Sequence, residues 1–196
     1  LIQNNVISGN TGGGADGYGG GIYVYPGHHP TITHNIIRDN KASSSSSHRG
    51  WGGGIYLNRV SETTLIKNNV FYHNEAGGGS ESQGGAIYSY NYDTSLNPGQ
   101  MRNNIFYNHN ENGIYVIYSR FKDVTIRNNC FYSYPSGYKY NDKVTSDGEV
   151  DEDPKVENTT DFTLRYDSPC IDAGYDESGE YDKGWKEDIG IDEYAE

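Results

Sequence analysis

Two short motifs alternate along this chain at a shared spacing, and any fold must bring the chain back to the same place at that interval. The first is a polar pair ending in Asn followed by two apolar residues: Asn4-Asn5-Val6-Ile7, His34-Asn35-Ile36-Ile37, Asn68-Asn69-Val70-Phe71, Asn103-Asn104-Ile105-Phe106 and Asn128-Asn129-Cys130-Phe131. Its second Asn advances by 30, 34, 35 and 25 residues. The second motif is Gly20-Gly21-Ile22-Tyr23, Gly53-Gly54-Ile55-Tyr56, Gly85-Ala86-Ile87-Tyr88 and Asn112-Gly113-Ile114-Tyr115, with its Ile advancing by 33, 32 and 27. Interleaved motifs with one period describe a single unit stacked on copies of itself.

Apolar residues alternate over short stretches, as in Thr31-Ile32-Thr33 and Ile22-Tyr23-Val24-Tyr25, which is the strand period of two. No stretch repeats apolar residues at helical spacing over ten residues. Hydrophobic residues make up 33% of the chain, a fraction that raises the question of disorder. Aromatic residues, however, reach 13%, with 19 Tyr, and disordered chains are poor in them. Gly and Asn fall at the corners, where a positive φ is tolerated. The reading is an all-β, single-stranded right-handed parallel β-helix of about five coils, with neighbouring strands ~4.8 Å apart. Equivalent residues then form columns. Asn5, Asn35, Asn69, Asn104 and Asn129 become an inward ladder, because each amide offers both a donor and an acceptor.

The Asn-Asn-Ile-Phe and Gly-Gly-Ile-Tyr units resemble the repeats of secreted bacterial right-handed β-helix proteins of the pectate-lyase-like superfamily. The end of the chain strengthens the resemblance: Asp153-Pro154-Lys155-Val156, Asp161-Phe162-Thr163-Leu164, Ser168-Pro169-Cys170-Ile171-Asp172-Ala173-Gly174 and Asp188-Ile189-Gly190. It implies the fold and an extracellular or cell-surface location. It does not imply one activity, because fold and function separate. Residues 1–132 are assigned to the coils, 133–152 to a connecting loop and 153–196 to a segment capping the last coil. Leu1-Ile2-Gln3 begins within the repeat, so the chain is read as a segment whose upstream coils are missing. The variable loops 11–19, 41–52, 75–84 and 111–112 leave one corner and form one rim. Ser43 to Ser47 is low-complexity, and Trp51 is read as that loop's anchor. Cys130 and Cys170 are read as buried free thiols.

Ile22, Ile55, Ile87 and Ile114 point inward, as do Ile2, Ile32, Ile66, Met101, Ile126, Ile7, Ile37, Phe71, Phe106 and Phe131. Three outward columns carry candidate chemistry. Tyr23, Tyr56, Tyr88 and Tyr115, with Tyr25 and Tyr90 two residues further along, offer rings for sugar faces, or simply pair across strands. Tyr72, Tyr107 and Tyr132 repeat the pattern on the third strand. Lys67, Arg102 and Arg127 stack cations about 5 Å apart, a costly arrangement that uronate carboxylates would relieve; as catalytic candidates they would also help abstract a C5 proton.

The formal net charge of −12 and pI near 4.8 argue against nucleic acid as partner. No apolar run approaches the ~20 residues of a membrane span. The glycines of 12–21 lack the βαβ context of a dinucleotide fingerprint. Asp172, Asp182 and Asp188 lie in the densest acidic run, a candidate Ca²⁺ site or a solvated surface; no other cofactor is implied. No catalytic signature such as an Asp-Pro-His triplet is present, and no outward carboxylate pair suits glycoside hydrolysis. The expected function is a monomeric secreted or surface module that binds an acidic polysaccharide, with lyase-type cleavage as the enzymatic version. The alternative is a non-catalytic stalk or adhesin module of a larger surface protein.

Overall fold

A computed structural model describes residues 1–79, 81–92, 99–109, 115–121, 123–134, 139–175 and 190. Every strand pairing is parallel apart from one antiparallel bridge, and three sheets run the length of the molecule. The first contains Ile22–Val24, Ile55–Asn58, Ile87–Tyr90 and Ile117–Arg120. The second contains Ile2–Gln3, Thr31–Thr33, Leu65–Lys67, Gln100–Arg102, Val124–Arg127 and Val144–Asp147. The third contains Val6–Ser8, Ile36–Arg38, Val70–Tyr72, Ile105–Tyr107 and Cys130–Tyr132. Successive coils of the chain contribute one strand to each sheet, so the architecture is a β-solenoid.

The Asn ladder forms as expected. Asn35 Nδ2 donates to Asn69 Oδ1 at 3.0 Å, Asn69 to Asn104 at 3.0 Å and Asn104 to Asn129 at 3.0 Å. The same amides donate to carbonyls of their own and the preceding coil, so a fully buried polar column has its hydrogen bonds met. The residue before each ladder Asn turns the corner at positive φ: Asn4, His34, Asn68, Asn103 and Asn128 lie between 47° and 57°. Asn and His tolerate that conformation where bulkier residues do not. Inside, Phe71, Phe106 and Phe131 stack at 4.9 and 4.7 Å within a core that includes Ile32, Ile55, Ile66, Ile87, Met101 and Ile126.

Two parts depart from the sequence reading. Residues 133–152 do not simply connect: Tyr140 bridges to Ile117, Val144–Asp147 joins the second sheet, and Val150 bridges to Cys130. This is a last, shortened coil, missed because its Val-Thr-Ser-Asp strand carries only one inward apolar residue. Lys139 closes it, its ammonium 4.5 Å from the Phe131 ring centroid and paired with Glu149 at 2.5 Å and Asp151 at 2.6 Å. The described part of the tail, residues 153–175, lies along the third sheet, while residues 176–189 and 191–196 of the expected cap lie outside the described residues. Phe162, Leu164 and Cys170 pack on Ile36, Val70, Ile105 and Cys130, the outward apolar column of the third sheet. That column is apolar on both faces of its strands, so something must cover it. We call residues 153–175 the strap.

Candidate functional site

The rim loops fold back over the first sheet and convert its outward face into a groove. Gly17–Tyr18 pairs with Gly50–Trp51, and Trp51 bridges to Gln83, so the loops stack with the same register as the coils. Gly19, Gly52 and Gly84 turn the chain from rim to sheet at φ 65°, 69° and 69°, and a Cβ on Gly52 would lie 2.2 Å from the Ile55 carbonyl oxygen. Only glycine makes this turn without strain. It sets Tyr18 and Trp51, the residues just before Gly19 and Gly52, above the sheet. Their rings stack at 4.8 Å, and Tyr18 meets Tyr56 edge-on at 5.2 Å.

Beneath them runs a tyrosine ladder. Tyr23, Tyr56 and Tyr88 stand in register, with ring centroids 5.1 and 5.3 Å apart. The fourth member is Tyr118, 5.3 Å from Tyr88, and not Tyr115. The Gly113-Ile114-Tyr115 match misplaced it by three residues; Val116-Ile117-Tyr118-Ser119 is the counterpart of Ala86-Ile87-Tyr88-Ser89 and was legible as such. Ile114 lies outside the described residues, and Tyr115 packs beside the ladder, 5.6 Å from Tyr118. Tyr56 and Tyr88 are only 4% and 1% exposed, because their faces are spent on one another. Burial pushes both phenols up, Tyr88 to about 12, with Arg120 opposing the rise. They stay protonated donors at any physiological pH.

A cavity of about 360 Å³ opens above the ladder, lined by Tyr18, Tyr23, Trp51, Tyr56, Tyr88 and Tyr90 together with Asn58 and Arg120. A second, of about 230 Å³, adjoins it through Trp51 and Arg120 and adds Arg49, Glu81, Gln83 and Tyr118. The two arginines differ in what they can do. Arg49 is bound to Glu81 at 3.0 Å and to Asp16 at 3.3 Å, and its backbone N–H, followed by its charge, holds the Asp16 carboxyl below the usual range. Arg120 hydrogen-bonds the Tyr88 hydroxyl and lies 5.8 Å from the Tyr90 ring centroid and 4.9 Å from that of Phe121. Exposed, it has no carboxylate partner among the described residues. Asn58 Nδ2 donates to the Tyr23 hydroxyl at 2.6 Å.

The other two columns are in register but lie elsewhere. Lys67, Arg102 and Arg127 are neighbours on the second sheet, as the spacing implies. Their face is only partly open: Arg102 is 3% exposed, Lys67 half-buried and Arg127 exposed, with the Tyr175 ring 5.6 Å from the Arg102 guanidinium and 5.3 Å from that of Arg127. Tyr72, Tyr107 and Tyr132 line the third sheet beside the strap, with Tyr72 5.3 Å from Phe162. Asp182 and Asp188 lie outside the described residues; Asp172 is exposed, and no group of three or more metal-ligating side chains occurs among the described residues. Trp51 anchors its loop, as read, and Tyr90 joins the groove, but Tyr18, Asn58, Tyr118 and Arg120 were missed as groove residues. For Tyr18 the available signal was its place directly before a Gly turn, as Trp51 stands before Gly52. No helix of the described residues is long and apolar enough to cross a membrane.

Comparison with protein families finds one matching model, described as a right-handed β-helix region, over residues 1–148. No curated protein and no solved structure matches the chain.

Proposed function

The chain belongs to the right-handed β-helix family, and from that premise we propose that it is a secreted or surface-displayed module that binds an acidic polysaccharide in the groove of its first sheet. The observation that carries this reading is the cavity of about 360 Å³, lined by six aromatic side chains, one amide and one arginine with no acidic partner among the described residues. Sugars present apolar C–H faces and a fringe of hydroxyls. Tyr18 and Tyr23, 45% and 40% exposed, supply ring surface, while Asn58 and the ladder hydroxyls supply hydrogen bonds. Arg120 would hold a uronate carboxylate, since a guanidinium pairs with a planar carboxylate through two parallel hydrogen bonds. The solenoid repeats the platform along its axis, which suits a linear polymer taken up by a monomer.

The test is titration calorimetry with oligogalacturonate, oligoguluronate and a neutral cellooligosaccharide of equal length. Binding should favour an acidic chain, and Arg120→Ala should weaken it about tenfold or more, as loss of one charge-assisted pair implies. The neutral oligosaccharide should change little. Binding unaffected by both Arg120→Ala and Tyr18→Ala would remove the groove from consideration. Lys67→Ala with Arg102→Ala asks the same of the partly covered cationic column. Lyase-type cleavage would appear as absorbance near 235 nm, because elimination leaves an unsaturated uronate. A second reading, a structural stalk, is favoured by the burial of Tyr56 and Tyr88, whose stacked faces hold neighbouring coils together. It predicts no binding to any of these glycans.

A further inference from the structure

The strap meets the coils at two cysteines. Cys130 belongs to the outward apolar column of the third sheet, and Cys170 sits in the strap against it. Both are free and fully buried in one apolar cluster, near enough that Cys170 pushes the Cys130 thiol up. The Cys130 thiol also donates to the Glu152 carbonyl at 3.5 Å, and the Cys170 backbone N–H donates to Ser168 Oγ at 3.1 Å. Backbone contacts thus fix both cysteines, 40 residues apart in sequence, where one bond between their sulfurs would close a long loop. Beyond the packing of Phe162, Leu164 and Cys170 on the third sheet, few polar contacts among the described residues tie the strap to the coils. It contains a single antiparallel bridge, Val156 to Leu164, and its far end is held by Asn128 Nδ2 to the Ala173 carbonyl and by Asn103 to the Tyr175 backbone.

We propose that Cys130 and Cys170 form an intramolecular disulfide when the chain meets a low-molecular-weight disulfide, locking the strap onto the third sheet. One cysteine thiolate attacks the external disulfide and releases one thiol. The second thiolate then attacks the mixed disulfide, forming the Cys130–Cys170 bond and releasing the other thiol. Two cysteines are oxidised by two electrons and one external disulfide is reduced to two thiols. The Cys170 contact and burial push the Cys130 thiol up, so little thiolate forms while the strap is closed. Exchange therefore proceeds during folding or when the strap lifts. The lock has a consequence beyond stability, because it also holds Tyr175 across Arg102 and Arg127. The reduced chain can uncover the buried Arg102 by lifting the strap, and the oxidised chain cannot. This inference is independent of the groove and of its ligand.

The experiment uses the full chain, refolded with glutathione disulfide in one arm and dithiothreitol in the other. In the oxidised arm, thiols titrated after denaturation should fall from two to none, and the mass should drop by two hydrogens. A non-reduced peptide map should join Cys130 to Cys170. Thermal melting should rise by about 10 °C, the shift expected for a cross-link closing a loop of this length in a chain of this size, and proteolysis within residues 153–175 should slow. Cys130→Ala and Cys170→Ala should each abolish the oxidant-dependent shift; if either fails to fold, the two arms of the unaltered chain carry the test alone. Retention of both thiols, glutathione adducts, or disulfide-linked dimers would overturn the proposal. So would a cross-link that leaves proteolysis of the strap unchanged.

Discussion

His109 stands on a rung where the preceding coils place asparagine. Asn10 donates to Asn40 Oδ1, and Asn40 to Asn74 Oδ1, forming a second inward ladder five residues after the first. The imidazole continues it with Nδ1 3.3 Å from the Asn74 carbonyl oxygen and Nε2 3.2 Å from that of Phe71. A neutral ring can donate to only one of these, whereas a protonated ring satisfies both. Burial wins over the two carbonyls and lowers the pKa from 6.5 to about 4. The unfolded chain therefore binds the proton more readily, so this group's contribution is intact above pH 6.5 and is lost as pH falls towards 4. The loss is about 3 kcal/mol. His109→Asn should remove that part of the acid sensitivity while keeping stability near pH 7, as read by urea unfolding at pH 7, 5.5 and 4. In the first ladder the demand is stricter. Asn69→Asp removes a donor that meets two carbonyls and Asn104 Oδ1, leaving oxygen against oxygen in a buried column. It should cost several kcal/mol or prevent folding, whereas the same change at exposed Asn5 should cost far less.

At the scale of an element, the strands contribute through what they stack. Phe106 lies between Phe71 and Phe131, so Phe106→Ala opens a void that packed rings on both sides cannot fill. The expected loss is about 3–5 kcal/mol in denaturant unfolding. Gly52→Ala should also destabilise, since the added methyl meets a backbone oxygen that cannot move. The elements that repeat were legible in the sequence for this reason. Asn ladders, Gly corners and inward apolar pairs are demands made once per coil, so they print a period that can be read without structure. The second ladder was equally readable, since Asn10, Asn40, Asn74 and His109 each follow a first-ladder Asn by five residues. What does not repeat was not legible. The strap has no period, and its resting place on Ile36, Val70 and Ile105 depends on which face of the third sheet lacks cover. The groove fared in between: Tyr23, Tyr56 and Tyr88 were found as a column, but the rim residues that wall it enter through loop geometry. Arg120 follows the ladder's last strand only once Tyr118 is placed.

The whole molecule is a stack in which each coil is held mainly by the coils directly before and after it. Stability in such an array is close to a sum of coil and interface contributions, and opening proceeds from the ends. The two ends are not alike. Towards the high-numbered end, the last coil is closed by Lys139 with Glu149 and Asp151, and the strap spans four neighbouring strands of the third sheet. In this 196-residue chain taken alone, Val6 is 58% exposed and Asn5 lies open to solvent at the other end. Amide hydrogen exchange should therefore be graded. Amides in Leu65–Lys67, Val70–Tyr72 and Ile87–Tyr90 should exchange only through global opening, and those in Ile2–Gln3 and Val6–Ser8 about 100-fold faster or more. Locking the strap should slow exchange in Ile105–Tyr107 and Cys130–Tyr132 without altering the first strands. If Val6–Ser8 instead exchanges as slowly as Val70–Tyr72, the stack unfolds as one cooperative unit, and the exposure of its first coil has no energetic consequence.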